Sequence, residues 1–152
     1  MSKKVLLNSK EIEIILHRLA CQLIENHNDF KGTVIIGIQS RGVLVSRRIF
    51  KRLQEINPTI NIEYGELDIS FYRDDFRRRE LIVPSANKMD IQVEGKVVVL
   101  VDDVLYTGRT IRAALDALLD FGRPTKVELL ALIDRKFSRE LPIAADYIGQ
   151  SI

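Results

Sequence analysis

The sequence predicts an α/β domain: a mainly parallel sheet with helices on both faces. Three observations carry this. Short β-branched runs alternate with amphipathic stretches along the 152 residues, the order that builds strand–helix–strand units. The runs "TVIIGI" (33–38), "KVVVLVDD" (96–103) and "KVELLALIDR" (126–135) are apolar nearly throughout, as strands covered on both faces are. The amphipathic stretches between them carry helix start and stop signals. The length suits one domain with a sizeable core. No repeat or linker divides it, so residues 1–152 read as a single domain.

Each element follows in order. Asn8 with Glu11 three residues later is a capping pair, and Ile12, Ile15, Leu16, Leu19 and Leu23 then recur at helical spacing, predicting a helix over about 9–27. A strand over 33–38 leads through Ser40-Arg41-Gly42 into a helix with Val43, Ile49 and Leu53 facing inward, ending before Pro58. Residues 61–72 partly alternate, as a strand with one wetter side does. Residues 73–92 are dense in charge around Pro84-Ser85-Ala86-Asn87, which predicts a functional or disordered segment. After the strand at 96–103, a helix over about 108–120 carries Ile111, Ala114, Leu115 and Leu118, and Gly122 and Pro124 end it. A strand at 126–135 follows, and "ADYIGQ" starts another.

Composition narrows the class. Hydrophobic residues at 46% and charged residues at 29% are ordinary for a soluble domain. A net charge of +2 is compatible with a phosphate-rich ligand without demanding nucleic acid. The single cysteine, Cys21, rules out an internal disulfide and reads as a packed residue. The N-terminus is interrupted by charge too early for a signal peptide, and no apolar run has the ~20 residues of a membrane helix. A reducing cytoplasm fits best.

The chemistry concentrates in "VVVLVDDVLYTGRT", residues 97–110. In open parallel sheets ligands sit beyond the carboxyl ends of the strands. Three segments end there: Ser40-Arg41-Gly42, the turn from Asp102 to Thr110, and Asp134-Arg135. Thr107, Gly108 and Thr110 offer backbone N–H groups and hydroxyls at a helix start, an anion site. Two carboxylates just before it would repel a phosphate, so Asp102 and Asp103 must face vicinal hydroxyls or magnesium. A sugar phosphate satisfies both ends of the turn. An acid pair after a strand also occurs in P-loop nucleotidases. That reading needs a Gly-x-x-x-x-Gly-Lys-Ser/Thr loop, and the one Gly-Lys, Gly95-Lys96, precedes valine.

"VVLVDDVLYTGRT" resembles the phosphoribosyl pyrophosphate (PRPP) motif of type I phosphoribosyltransferases. The resemblance implies that Asp102 and Asp103 contact the ribose hydroxyls, and that residues 104–110 (Val104, Leu105, Tyr106, Thr107, Gly108, Arg109, Thr110) complete the loop that cradles the 5′-phosphate. With "GIQSRG", "GELDISFYRDD", "FGRPTKVELLALIDR" and "RELPIAADYIG" added, most of the chain is similar to the pyrimidine operon attenuator and uracil phosphoribosyltransferase (PyrR) family. By that likeness Ser40-Arg41-Gly42 is the pyrophosphate loop, and "FYRDD" opens a mobile flap over about 73–92. Arg41 and Arg73 can bind pyrophosphate bidentately. A solvated Arg41 and a salt-bridged loop at Arg73 are the plainer readings, and Arg77-Arg78-Arg79 reads as a solvated charge run.

The implied reaction joins uracil to PRPP, giving UMP and pyrophosphate, with Arg41, Arg73, Asp102 and Asp103 as the catalytic group. Asp102 and Asp103 would hold Mg2+, and Asp134 and Arg135 would face the base. In many purine relatives the position of Tyr106 is an acid. Tyrosine, with an ordinary pKa near 10, is a poor base at neutral pH, so Tyr106 matches the PyrR group. Three features depart from the family pattern. Its members continue past Ile152 with a strand that helps form the base pocket, so that segment is expected to be missing. The first helix presents Glu13, Ile14, His17, Cys21 and Asn26 where RNA-binding members are polar and basic, and "RKFSRELP" is altered where the family has Gly-His.

Two functions therefore stand side by side: uracil phosphoribosyltransferase, and a UMP- or PRPP-sensing attenuator that binds pyrimidine-operon leader mRNA. Arg18 on the first helix is accompanied by Glu11, Glu13 and Glu25, a face nearer neutral than basic, which puts catalysis ahead. Lys51, Arg52, Arg135, Lys136 and Arg139 could serve PRPP or solvent. His17 and His27 read equally as surface histidines. Apolar surface from Val5-Leu6-Leu7, Ile14 and the helix at 43–53 predicts at least a homodimer.

Overall fold

Strands that are covered on both faces need apolar residues at every position, and the central strands here meet that demand. The structure, a computed structural model, describes residues 5–70 and 91–152. The described elements are α1 (Ser9–His27), β1 (Thr33–Ile38), α2 (Arg41–Ile56), β2 (Glu63–Leu67), β3 (Val97–Leu105), α3 (Arg109–Leu118), a 3-10 turn (Leu119–Phe121), β4 (Lys126–Asp134) and β5 (Tyr147–Ser151). The strands form one sheet in the order β2-β1-β3-β4-β5, with every neighbouring pair parallel.

Successive side chains divide between two cores. Val34, Ile36, Val98 and Leu100 pack with Ile111, Ala114 and Leu118 of α3. Ile35, Val99 and Val101 pack with Leu16, Leu19 and Leu23 of α1 and with Ile49 and Leu53 of α2. The helices thus lie on both faces, and the two-sided burial explains why "TVIIGI" and "VVVLV" do not alternate. Gly37 lets α2 settle onto β1, because a Cβ there would overlap the Ser46 hydroxyl. At the start of α1 the capping box forms, with Glu11 N donating to Asn8 Oδ1 at 2.8 Å and Asn8 N to Glu11 Oε1 at 3.3 Å.

Several expectations change. β2 is shorter than 61–72: Asp68 Oδ1 accepts from Ser70 N at 3.0 Å and from Ser70 Oγ at 2.6 Å, which turns the chain. β3 runs on to Leu105, since its ladder with β4 continues through Val104↔Ile133 and Leu105↔Asp134. Asp102 and Asp103 therefore lie inside the strand, not at its end. The apolar face of α2 is spent internally: Val43, Ile49 and Leu53 are buried, leaving Leu44 exposed alongside Val5, Leu6 and Ile14. Arg73 and the flap expected over about 73–92 lie outside the described residues, except for Ile91 and Gln92.

His27 is no surface histidine. At the amino end of the sheet its Nε2 lies 2.6 Å from Glu128 Oε1, and its Nδ1 lies 3.3 Å from Thr33 Oγ1. Tyr147 Oη donates to the same Glu128 oxygen at 2.8 Å, and Asn26 donates to Tyr147 at 2.9 Å. Burial would raise the Glu128 carboxyl, but hydrogen bonds from Tyr147, His27 and Lys126 outweigh it and hold it below its ordinary value. Burial, together with the neighbouring carboxylate, pushes the Tyr147 hydroxyl up to about 12.

Candidate active site

The carboxyl ends of β1, β3 and β4 stand side by side, and the three predicted segments leave from them. The loop after β1 is fastened to its other neighbour, with Gln39 N donating to Leu67 O at 2.9 Å, and its Gln39–Ser40 peptide is cis. Ser40 and Arg41 are exposed while Gly42 is buried. A Cβ on Gly42 would stand 2.5 Å from Val101 O and 3.1 Å from Asp102 Oδ1. Only glycine permits α2 to start this close to β3. The Ser40-Arg41-Gly42 loop is thereby set directly beside the acid pair.

The two carboxylates are held by their own backbone. Asp102 is 6% exposed and its Oδ1 accepts from Asp103 N at 2.8 Å. Asp103, half-buried, accepts from Val104 N through Oδ1 at 2.8 Å. Such short-range bonds help to fix the orientation of each carboxyl group. The chain then turns at Gly108, whose φ of 98° is left-handed, directly before α3. Thr107 Oγ1 accepts from Arg109 N at 3.2 Å, so that N–H is already engaged at the helix start. Asp102 and residues 104–111 line a hollow of ≈ 160 Å³.

The third segment closes the other side. Arg135 N donates to Leu105 O at 3.0 Å, and the Arg135 guanidinium lies 4.0 Å from the centre of the Tyr106 ring, within cation–π range. Asp134 is buried and pairs with Arg139. Arg139 reaches further: Nη1 donates to Tyr106 O at 2.7 Å and to Arg135 O at 3.1 Å, and Nε donates to Ile143 O at 2.8 Å. Thr107 O also accepts from Glu140 N at 2.9 Å and from Leu141 N at 3.1 Å. Arg109 pairs with Glu140 at 2.7 Å. Sequence reasoning counted Arg139 only as one more cation. Its role as the clamp between two loops had no sequence signal, because the carbonyls it binds carry no residue identity.

The structure thus brings together Ser40-Arg41-Gly42, Asp102 to Thr110, and Arg135. It turns Asp134 toward Arg139, and Arg73 lies outside the described residues. Among the described residues no group of three or more His, Cys, Asp or Glu could hold a metal ion, and no helix is long and apolar enough to cross a membrane.

Comparison with known proteins agrees with this fold. The phosphoribosyl transferase domain family matches residues 2–152. The bifunctional protein PyrR of Enterococcus faecalis is 43% identical over 152 residues, covering 100% of this chain and 84% of that protein. The PyrR of Desulfosudis oleivorans is 47% identical over 147 residues, covering 96% of this chain and 81% of its own length. Among solved structures, a hypoxanthine phosphoribosyltransferase of Staphylococcus aureus superposes with a TM-score of 0.78 at 24% identity, over 99% of this chain and 78% of that one. That likeness speaks for the fold alone. The chain belongs to the phosphoribosyl transferase family, as a type I phosphoribosyltransferase of the PyrR group.

Proposed function

We propose that the protein is a uracil phosphoribosyltransferase, converting uracil and PRPP to UMP and pyrophosphate. The observation that carries this is the seating of Gly42 on Asp102, which puts an arginine-bearing loop beside an acid pair and a Thr-Gly turn. In the proposed complex Asp102 and Asp103 accept hydrogen bonds from the ribose hydroxyls. The Thr107–Thr110 turn takes the 5′-phosphate at the start of α3. Ser40-Arg41-Gly42 takes the pyrophosphate, and Arg41, exposed at the head of α2, supplies charge to the leaving group. The C1–O bond to pyrophosphate breaks, the C1–N1 bond to uracil forms, and the N1 proton leaves to solvent. Arg73 would join the pyrophosphate side.

Two adjacent carboxylates are a hard oxygen donor set too small for a protein-only cage. They suit Mg2+, which binds through one or two carboxylates and substrate phosphates. Asp102 and Asp103 would hold it, and when bound it neutralises charge on the departing pyrophosphate.

The attenuator function, with pyrimidine-operon leader mRNA as ligand, is the second reading, supported by the relatives' being called bifunctional. It stands behind catalysis because Arg18 of α1 already donates to Ile148 O at 3.2 Å and also binds Gly149 O, and Glu11, Glu13 and Glu25 share the helix. Exposed Val5, Leu6, Ile14 and Leu44 support a homodimer or larger assembly.

Calorimetric titration of PRPP with Mg2+ tests the central reading. Binding is expected, with a rise in melting temperature. Asp103→Asn should weaken PRPP at least tenfold and leave the fold intact, since an asparagine Oδ1 can still accept from Val104 N. No heat from either PRPP or UMP at millimolar concentration would overturn it.

A further inference from the structure

Displacement at C1 requires the incoming nitrogen to approach the ribose from the face opposite the departing oxygen. The Ser40-Arg41-Gly42 loop follows β1, which borders β3 on one side, and β4 borders β3 on the other. With pyrophosphate on the β1 side, the base has to stand on the β4 side, against the loop that begins at Arg135. Asp134 is closed to it, being buried and paired with Arg139.

That loop is pinned in several places. Lys136 N donates to Ile152 O at 2.9 Å, Arg139 holds Tyr106 O, and Glu140 N and Leu141 N hold Thr107 O. Between these fastenings Phe137 stands clear of the protein, 102% exposed, with a φ of 64°. Left-handed backbone is uncommon for a bulky residue, and a ring left in water gains nothing from folding. A single exposed apolar side chain is unremarkable by itself. This one sits two residues from Arg135, whose guanidinium lies on Tyr106 of the phosphate loop.

We infer that Phe137 is a specificity-determining residue whose ring stacks on the pyrimidine of the bound nucleotide. The inference rests on the phosphoribosyl reading above and adds to it the surface that recognises the base. A pyrimidine offers a flat π-face, and an aromatic side chain is the group that binds one without regard to its hydrogen-bonding edge. Arg135 beside it carries donors for the ring carbonyl oxygens. An uncharged, carbonyl-rich base fits a cationic, aromatic loop from which the one buried carboxylate is turned away.

The test titrates UMP and ribose 5-phosphate separately into the wild type, Phe137→Ala and Phe137→Tyr. Phe137→Ala should weaken UMP about tenfold, the scale of one lost base–aromatic stack, and leave ribose 5-phosphate and the melting temperature unchanged. Phe137→Tyr should bind UMP within about twofold of wild type, because the ring is kept. Wild-type protein that binds both ligands, with Phe137→Ala either identical to it or weakened equally for both, overturns this inference alone. Wild-type protein that binds neither ligand overturns the phosphoribosyl reading, and this inference with it.

Discussion

Gly42 at the head of α2 rests on the backbone of β3 at Asp102, so close that a Cβ would stand 2.5 Å from Val101 O. The contact joins two loops that are about sixty residues apart in sequence and makes them one site.

Gly42→Ala should therefore damage binding more than folding. The added methyl meets backbone, which cannot swing aside, so α2 or β3 must shift. The cost to stability should be about 1–3 kcal/mol, typical of overpacking. PRPP affinity should fall at least tenfold, since the shift opens the space between the Ser40-Arg41-Gly42 loop and the acid pair. Chemical denaturation and PRPP titration on the same sample check both figures. Full PRPP affinity in a destabilised variant would refute the link.

Arg139 should matter for stability out of proportion to its partial exposure. Its guanidinium pairs with buried Asp134 and satisfies carbonyls of Tyr106, Arg135 and Ile143. Arg139→Ala leaves that carboxylate unpaired, at a cost of about 2–3 kcal/mol. Adding Asp134→Asn should recover part of the loss, because the uncompensated charge is gone. A double-mutant cycle by denaturant unfolding measures the coupling. Additive effects would show that the pair is not a unit.

The buried network at the other end of the sheet predicts an acid-side dependence. Burial opposes ionisation of Glu128, yet hydrogen bonds from Tyr147, His27 and Lys126 hold its carboxyl below the ordinary 4.5. A depressed carboxyl stabilises the fold above its unfolded-state value. That contribution is lost as pH falls from about 4.5 through the folded-state value. Glu128→Gln should lower stability at neutral pH and flatten the decline below pH 4.5. Unfolding curves from pH 3 to 7 check it, and an unchanged acid limb would refute the role.

Much of this molecule was legible before its structure. The α1 helix announced itself through Asn8, Glu11 and a 3.6-residue apolar stripe. β1, β3 and β4 did so through apolar runs that only two-sided burial explains. The acid pair and Thr-Gly turn were legible because their chemistry sits in nine consecutive residues, and the family followed from them. These features share a cause: periodicity and local turn chemistry are set by neighbours along the chain. The tertiary structure alone decided the rest. It seated Gly42 on Asp102, turned Asp134 to Arg139, and buried His27 against Glu128, 101 residues away. It also carried β3 past both carboxylates, because β4 is long enough to pair with Leu105. Such contacts depend on where parallel strands bring distant residues, and that order is not written in the spacing of any one segment.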